Sequence, residues 1–372
     1  METGQKGMTY KQAGVDVDLG DVCSRIMTDA SRKTFANRQE KIGETEILEE
    51  EGLHKVITLN LPPYKLMMNS DGIGTKIEIA ERTANHKTMA YDLIAMLADD
   101  SVRYGAEPIA ATNLIDANKL NQDVIQQLSE GLVAACSAAG IANVAGEIAE
   151  LGRRVGGYGN YNYNWGGTVL SILNPKRMIT GKEIEAGDAI IALHEDGPRS
   201  NGLSLLRKIF QNRCGEEWHT EHLNGKTLGE HILKPSTIYT KAITHLHGGY
   251  EGQSKVNLKG IVHVTGGGIP GKFGRLLKAI KLGADLDNLY EPCVAMLRAQ
   301  ELGVVSDRGA YKTWHMGQGM LLVVAENEKD MTVQYLADAG MKAEHAGYIT
   351  EWQGIQIASR GFFNKGVVLP FI

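Results

Sequence analysis

The 372-residue chain predicts two consecutive α/β domains of similar size. Three observations carry that expectation. The length exceeds the ~100–200 residues of one ordinary domain. In each half, short apolar segments of strand character alternate with segments of helical period. Glycine-rich turns stand between strand and helix in both halves, and the 44 glycines make up about 12% of the chain, against a usual ~7%. No Gly-X-Y period accompanies the excess, so the glycines signal tight turns or close backbone approach to a ligand rather than a fibre.

The elements follow in order. Residues 1–30 mix acidic and apolar positions, and 32–53 (RKTFANRQEKIGETEILEEEGL) has the charged, unpatterned composition of a surface segment. Residues 55–70 read as two strands about the Pro62-Pro63 turn, and the second delivers DGIGTK at 71–76. A helix over 86–108 places Leu93, Met96 and Leu97 on one face and stops at Gly105. IAATNLID (109–116) is a strand, and 121–140 is an amphipathic helix capped by Asn121 and closed by Gly140. Two more strands, 141–151 and 164–173, lead to a break at Asn174-Pro175. The boundary therefore divides the chain into domains at 1–173 and 174–372. The second half opens on the strand GDAIIALHE (187–195), the loop GPRSNG (197–202) and a helix over 203–212. A helix over about 235–247 follows, then IVHVTGGGIPGKFGRLLKAI (261–280) as strand, glycine loop and helix, and strands at 316–326 and near 346–352.

Composition narrows the function classes. Hydrophobic residues at 43% and charged residues at 22% describe a soluble globular chain. A net charge of −5 argues against a nucleic-acid surface. The four cysteines, Cys23, Cys136, Cys214 and Cys293, lack CxxC or metal-site spacing and read as reduced thiols. The start has no apolar leader core, and no run reaches the ~18 apolar residues of a membrane span. These features predict a cytoplasmic protein.

Several motifs can carry chemistry. In DGIGTK, Gly72 and Gly74 allow backbone N–H groups to approach an anion, Thr75 adds a hydroxyl, Asp71 can hold Mg²⁺ and Lys76 can neutralise a phosphate. Taken alone, an ordinary Asp-Gly turn accounts for it better, and the P-loop spacing is absent. Asp99 and Asp100 oppose the dipole at their helix end. A solvated end explains Asp99 equally well, while Asp100 suits a metal if it lies near Asp71. Glu147 reads as a third carboxylate at a strand end, and three such acids suit Mg²⁺ on a nucleotide. In GPRSNG, Ser200 or Asn201 can cap the following helix, whose free N–H groups suit an anion; a plain N-cap is the commoner explanation. The triple glycine of HVTGGG (263–268) exceeds the needs of a turn and favours ligand binding, with Thr265, Lys272 and Arg275 nearby. His263 stands where acid–base work is possible, although a lone strand histidine is more often structural. The aromatic run GYGNYNYNW (157–165) fits a glycine-rich loop or oligomer surface better than base stacking.

In this order the motifs resemble the phosphoribosylformylglycinamidine cyclo-ligase (aminoimidazole ribonucleotide synthetase) family. The resemblance starts at YKQAGVDVDLGD (10–21) and continues through DGIGTK, YDLIAMLADD with YGAEP, GEIAEL, GPRSNGLSLLRKI, HVTGGG and MGQGM. It implies two α/β domains, each a mixed sheet with helices on one side, in a homodimer. The N-terminal domain would bind ATP and dimerise, and the C-terminal domain would bind substrate and phosphate. The implied reaction converts formylglycinamidine ribonucleotide and ATP to aminoimidazole ribonucleotide, ADP and phosphate, through a phosphorylated imidate. It makes His263, Asp100 and Lys76 the expected catalytic residues, and Asp71, Asp100 and Glu147 the expected Mg²⁺ ligands. ATP and phosphate would meet Asp71, Gly72, Gly74, Thr75, Lys76, Ser200, Asn201 and Gly202. Substrate would meet Arg199, Thr265, Gly266, Gly267 and Gly268. A small phosphoribosyl substrate, no nucleic acid and no membrane complete the expectation.

The chain departs from the family pattern in places. The family's glycine-rich loop before DGxGTK is replaced by the charged 32–53 stretch, the histidine usual before SNG is Arg199, and the Asn-Asp pair reads Asp99-Asp100. An arginine can bind phosphate but does not titrate near neutral pH. Two other readings compete: another ATP-using enzyme of the same superfamily, or a non-catalytic nucleotide-binding paralogue. The YKQAGVDVDLGD opening favours the cyclo-ligase over the first.

Overall fold

A computed structural model describes residues 8–9, 11–13, 56–57 and 64–372. The opening motif, apart from 11–13, and the charged 32–53 stretch lie outside the described residues, as does Cys23. The first half runs through β1 (Val56–Ile57), β2 (Lys65–Gly72), α1 (Ile77–Thr83), α2 (Met89–Val102), β3 (Glu107–Ala117), α3 (Gln122–Ala139), β4 (Ala142–Glu150) and β5 (Tyr163–Leu173). Its strands pair in the order β1-β2-β5-β3-β4, antiparallel except for the β3–β4 pair, whose crossover contains α3. The local signals for α3 operate as read: the Asn121 side chain accepts from the Asp123 and Val124 N–H groups, and Gly140 ends the helix at φ 74°.

One face of this sheet is covered by α2 and α3. Val169 and Ala111 pack there with Leu93 and Leu97, and Asn69 donates from Nδ2 to the Leu97 carbonyl at 3.2 Å. Tyr163 and Trp165 of the aromatic run are core residues on this face, because strand alternation turns them inward. The opposite face carries Met68, Leu114 and Thr112 and is not covered by any described helix.

The second half runs through β6 (Ala189–His194), α4 (Leu203–Cys214), the short ribbon β7 (His222–Leu223) and β8 (Lys226–Thr227), α5 (Leu228–Ile232), α6 (Thr240–His247), β9 (Gly260–His263) and α7 (Gly268–Ile280). It continues with β10 (Gly283–Leu286), α8 (Val294–Gly303), α9 (Asp307–Thr313), β11 (Gln318–Val324), α10 (Lys329–Asp338), β12 (Ala343–Thr350), β13 (Gly354–Ala358) and β14 (Val368–Phe371). The larger sheet is ordered β14-β13-β10-β12-β6-β11-β9 and is mixed, since β10 and β13 are parallel. Both halves therefore have the mixed-sheet α/β architecture expected. The larger sheet adds helices on its second face. Ile190, Ala192, Leu321 and Val323 share a core with Phe273 and Leu277 of α7, while Ile191, Leu193, Met320 and Leu322 pack with Ile243 of α6 and Leu336 of α10. Near-continuous apolar runs in β6 and β11 are the sequence counterpart of burial on both faces.

The helix read over 235–247 begins only at Thr240. The residues before it form an irregular segment whose N–H groups are held by buried carboxylates: Thr237 donates to Glu195 at 3.1 Å and Tyr239 to Asp99 at 2.9 Å. No helix among the described residues is long and apolar enough to cross a membrane.

Two buried histidines tie stability to pH. Burial lowers His86 to about 4, and burial, reinforced by Arg199, lowers His315 to about 3. In the unfolded chain both bind a proton below about 6.5. Their contribution is thus complete above that pH and is lost progressively toward pH 4, at about 1.4 kcal/mol per unit of difference for a fully buried group. Urea unfolding should show lower stability at pH 5 than at pH 7; equal stability would mean that the folded state takes up the protons as readily.

Candidate active site

The two halves meet where the loop after β2 faces the loop before α4. A single 3₁₀ turn over Gly74–Lys76 carries the end of DGIGTK, and Thr75 Oγ1 lies 3.5 Å from Ser204 Oγ in the first turn of α4. Gly74 has φ +70°, as a turn residue at this junction requires. Asp71 and Gly72 end β2, where the exposed Asp71 carboxylate accepts from the Gly72 N–H at 2.7 Å.

Lys76 corrects its expected phosphate and catalytic role. It is fully buried, its Nζ is 2.8 Å from Asp92 Oδ1, and it also donates to the Lys234 carbonyl. Ser236 donates to the same Asp92 oxygen. The ammonium is thus a strut between the halves.

Arg199 also departs from its expected contact with substrate. It is 1% exposed, and Nη1 lies 2.7 Å from Glu195 Oε2 and 3.0 Å from the Thr237 carbonyl. Nη2 lies 3.2 Å from Asp99 Oδ2 and 2.9 Å from His263 Nε2. Burial alone would weaken its charge, but Glu195, Tyr239 and Asp99 together outweigh it and raise its pKa. Asp99 has a second function. Its Oδ1 accepts from the Tyr239 N–H and from Thr240 Oγ1 at 2.8 Å, so it sits at the N-terminus of α6, where a negative charge is favourable.

His263 ends β9, is 1% exposed, and has Nδ1 3.7 Å from Asp100 Oδ1. Burial lowers its pKa, against the pull of Asp100 and with the push of Arg199. Asp100 is partly exposed and also pairs with Arg103 at 3.4 Å. Lys272, one turn into α7, lies in the fields of Asp100, Asp71, Arg103 and Arg275, while its burial lowers its pKa. Asp71, Asp100, His263 and Lys272 therefore share one region, with cations supplied by both halves.

Glu147 is outside that region. It lies within β4, which continues to Glu150, and pairs across the sheet with Leu114, Gly166 and Gly72 in one row. Asp71 belongs to the adjacent row with Gly167 and Asn113 and so faces the opposite side. Three strand spacings, about 14 Å, separate the rows' ends. The expected trio of acids is not assembled, and no group of three metal-ligating side chains occurs among the described residues.

The anion loops are shaped partly by packing. The N-cap of α4 is Gly202, at φ 76°, rather than Ser200 or Asn201, and its carbonyl accepts from Trp314 Nε1 at 3.0 Å. His315 pins the same loop by donating from Nε2 to the Gly197 carbonyl at 2.8 Å while Nδ1 accepts from the Gly317 N–H. In HVTGGG, a Cβ on Gly268 would fall 1.9 Å from the Tyr311 carbonyl oxygen, and Gly267 has φ +94°. Gly266 has neither constraint; its Cβ would meet only Asn201 Oδ1, at 3.4 Å. Backbone and packing thus account for the last two glycines, and Gly266 is the one that neither explains.

Two orphaned atoms test whether these residues fit a polar ligand. Ser200 Oγ and His263 Nδ1 are buried without a hydrogen-bond partner among the described residues. Such groups cost about 1–3 kcal/mol each, which an entering phosphate or amide can offset. Together with Lys272, Arg103 and Arg275 they suit an anionic substrate. Sequence reasoning missed Glu195 and Asp92, which are ordinary acids until their cationic partners are placed. Lys272 had a signal, one turn after the triple glycine.

Family models match both halves: "AIR synthase related protein, N-terminal domain" at 55–171 and "AIR synthase related protein, C-terminal domain" at 185–359. The chain is 31% identical over 363 residues to the phosphoribosylformylglycinamidine cyclo-ligase of Methanocaldococcus jannaschii, covering 97% of each chain. It is 34% identical to that of Thermodesulfovibrio yellowstonii, over 90% of this chain and 94% of the relative. Among solved structures, Thermotoga maritima PurL complexed with FGAR matches with TM-score 0.58 at 13% identity, over 91% of this chain and 49% of that chain. A thiamine-monophosphate kinase from Stenotrophomonas maltophilia matches with TM-score 0.56 at 14% identity, over 90% of this chain and 95% of that one. At these identities the structural matches bear on the fold alone.

Proposed function

The chain belongs to the AIR synthase related family, and on that premise we propose that it is an ATP-dependent phosphoribosylformylglycinamidine cyclo-ligase of purine biosynthesis. It converts formylglycinamidine ribonucleotide to 5-aminoimidazole ribonucleotide with release of ADP and phosphate. The observation that carries this reading is likeness to curated cyclo-ligases over almost the whole chain, including both halves of the cleft. ATP supplies the phosphoryl group that turns the formyl oxygen into a leaving group. The protein's part is to position and to neutralise charge. Lys272, Arg103 and Arg275 provide cations, the Thr265–Gly268 loop and Ser200–Gly202 provide close backbone approach, and His263 presents Nδ1 beside Asp100. The carboxylate of Asp71 suits Mg²⁺ carried on the nucleotide phosphates, a binding mode that needs only one or two protein carboxylates.

In this reading the N-terminal domain (1–173) holds the nucleotide and the C-terminal domain (174–372) the substrate, and the protein works in the cytoplasm as a homodimer. The uncovered sheet face supports the dimer: Met68 is 43% and Leu114 45% exposed there, a burden a partner sheet would relieve.

The test supplies full-length protein with formylglycinamidine ribonucleotide and Mg-ATP while the imidazole product and ADP are both followed. Equal yields of the two are expected. ADP alone would indicate another ATP-using enzyme of the superfamily, and tight ATP binding with neither product would indicate a non-catalytic paralogue. Asp100→Ala and His263→Ala should each lower turnover about 100-fold with the circular dichroism spectrum retained. Wild-type rates in both would refute these roles.

A further inference from the structure

We propose that Arg199 is a positioning residue that locks His263 as the neutral tautomer with its proton on Nδ1. The imidazole then serves the site as a hydrogen-bond donor and not as a base. The inference rests on the cyclo-ligase reading only for its kinetic consequence.

The argument starts from donor and acceptor chemistry. A guanidinium has N–H donors and no acceptor. Arg199 Nη2 stands 2.9 Å from His263 Nε2, so that ring nitrogen must offer its lone pair. In a neutral imidazole the proton is then on the other nitrogen. Nδ1 is the atom 3.7 Å from the Asp100 carboxylate, with no hydrogen bond of its own among the described residues. An imidazolium would set N–H against N–H and cation against cation, in a place where both side chains are 1% exposed.

Arg199 is held firmly enough to impose this choice. Glu195, the Thr237 carbonyl and Asp99 grip its guanidinium from other directions. Its backbone has φ +54°, a left-handed conformation costing a non-glycine residue about 1–2 kcal/mol, which the surrounding contacts must sustain. The histidine that the family resemblance leads one to expect at this position would carry a lone pair as well as a proton. It could face either tautomer of His263, whereas arginine permits one. The consequence for the reaction is a fixed Nδ1–H directed at the partly exposed Asp100 carboxylate, which it orients toward the site.

Full-length protein labelled with ¹⁵N-histidine tests this, with His263 assigned by the signals lost in His263→Gln. At pH 7 the wild type should show a protonated Nδ1 and a bare Nε2. Arg199→Gln, whose amide can donate or accept, should move both signals toward the average of the two tautomers. It should also lower kcat at least tenfold with KM within threefold, and Arg199→Lys should recover part of the loss. A protonated Nε2 in the wild type, or an unchanged tautomer in folded Arg199→Gln, overturns the inference. If Arg199→Gln does not fold, the wild-type spectrum decides alone. The predicted tautomer in a protein that forms no imidazole product would leave the inference standing and overturn the functional reading.

Discussion

Replacing Lys76 by methionine should cost about 3–5 kcal/mol of stability, the penalty for breaking a buried ion pair and stranding one charge. Asp92 would remain fully buried with Ser236 as a neutral partner, and the Lys234 carbonyl would lose its donor. Because these contacts join the two halves, the loss should appear as a lower urea midpoint and a broadened or split transition. Pairing Lys76→Met with Asp92→Asn should restore part of the stability, since the amide has the volume of the carboxylate, carries no stranded charge and keeps an oxygen for Ser236. A variant of wild-type stability whose only defect is a higher KM for ATP would return Lys76 to the phosphate role that its motif implies.

The second large effect concerns the triple glycine. Gly268→Ala should destabilise by about 2–4 kcal/mol, combining overpacking with a left-handed backbone at φ +60°. The clash is with the Tyr311 carbonyl oxygen, main chain of α9 that cannot swing aside, so α7 must shift from α9. Gly266→Ala is the informative contrast. Its neighbour is one side-chain oxygen at 3.4 Å, so stability should stay within about 0.5 kcal/mol. Its activity should fall nonetheless if substrate approaches that backbone. Equal thermal stability of the two variants would show that packing does not distinguish the glycines.

Local signals were legible where short-range forces decide the outcome. Asn121 and Gly140 bound α3 because capping involves only residues one turn away. The apolar runs of β6 and β11 read as strands, and the ordered motifs brought DGIGTK, GPRSNG and HVTGGG into one family pattern. The same local logic misjudged Glu147: the strand runs on to Glu150, and alternation along it sends the carboxylate to the far face from Asp71.

By itself, then, the sequence determined the α/β class, the order of the motifs and the family, since these depend on periodicity, turn chemistry and residues adjacent along the chain. Tertiary structure alone decided which charges are free to meet a ligand. Lys76 and Arg199 look like phosphate-binding cations in their motifs, yet Asp92 lies 16 residues from one, and Asp99 lies 100 residues and His263 64 residues from the other. A charge withdrawn from water takes whatever partner the fold brings within about 3 Å, because the cost of leaving it unpaired exceeds any local preference. That pairing turned two expected ligand contacts into the struts that hold His263 and the interdomain cleft in place.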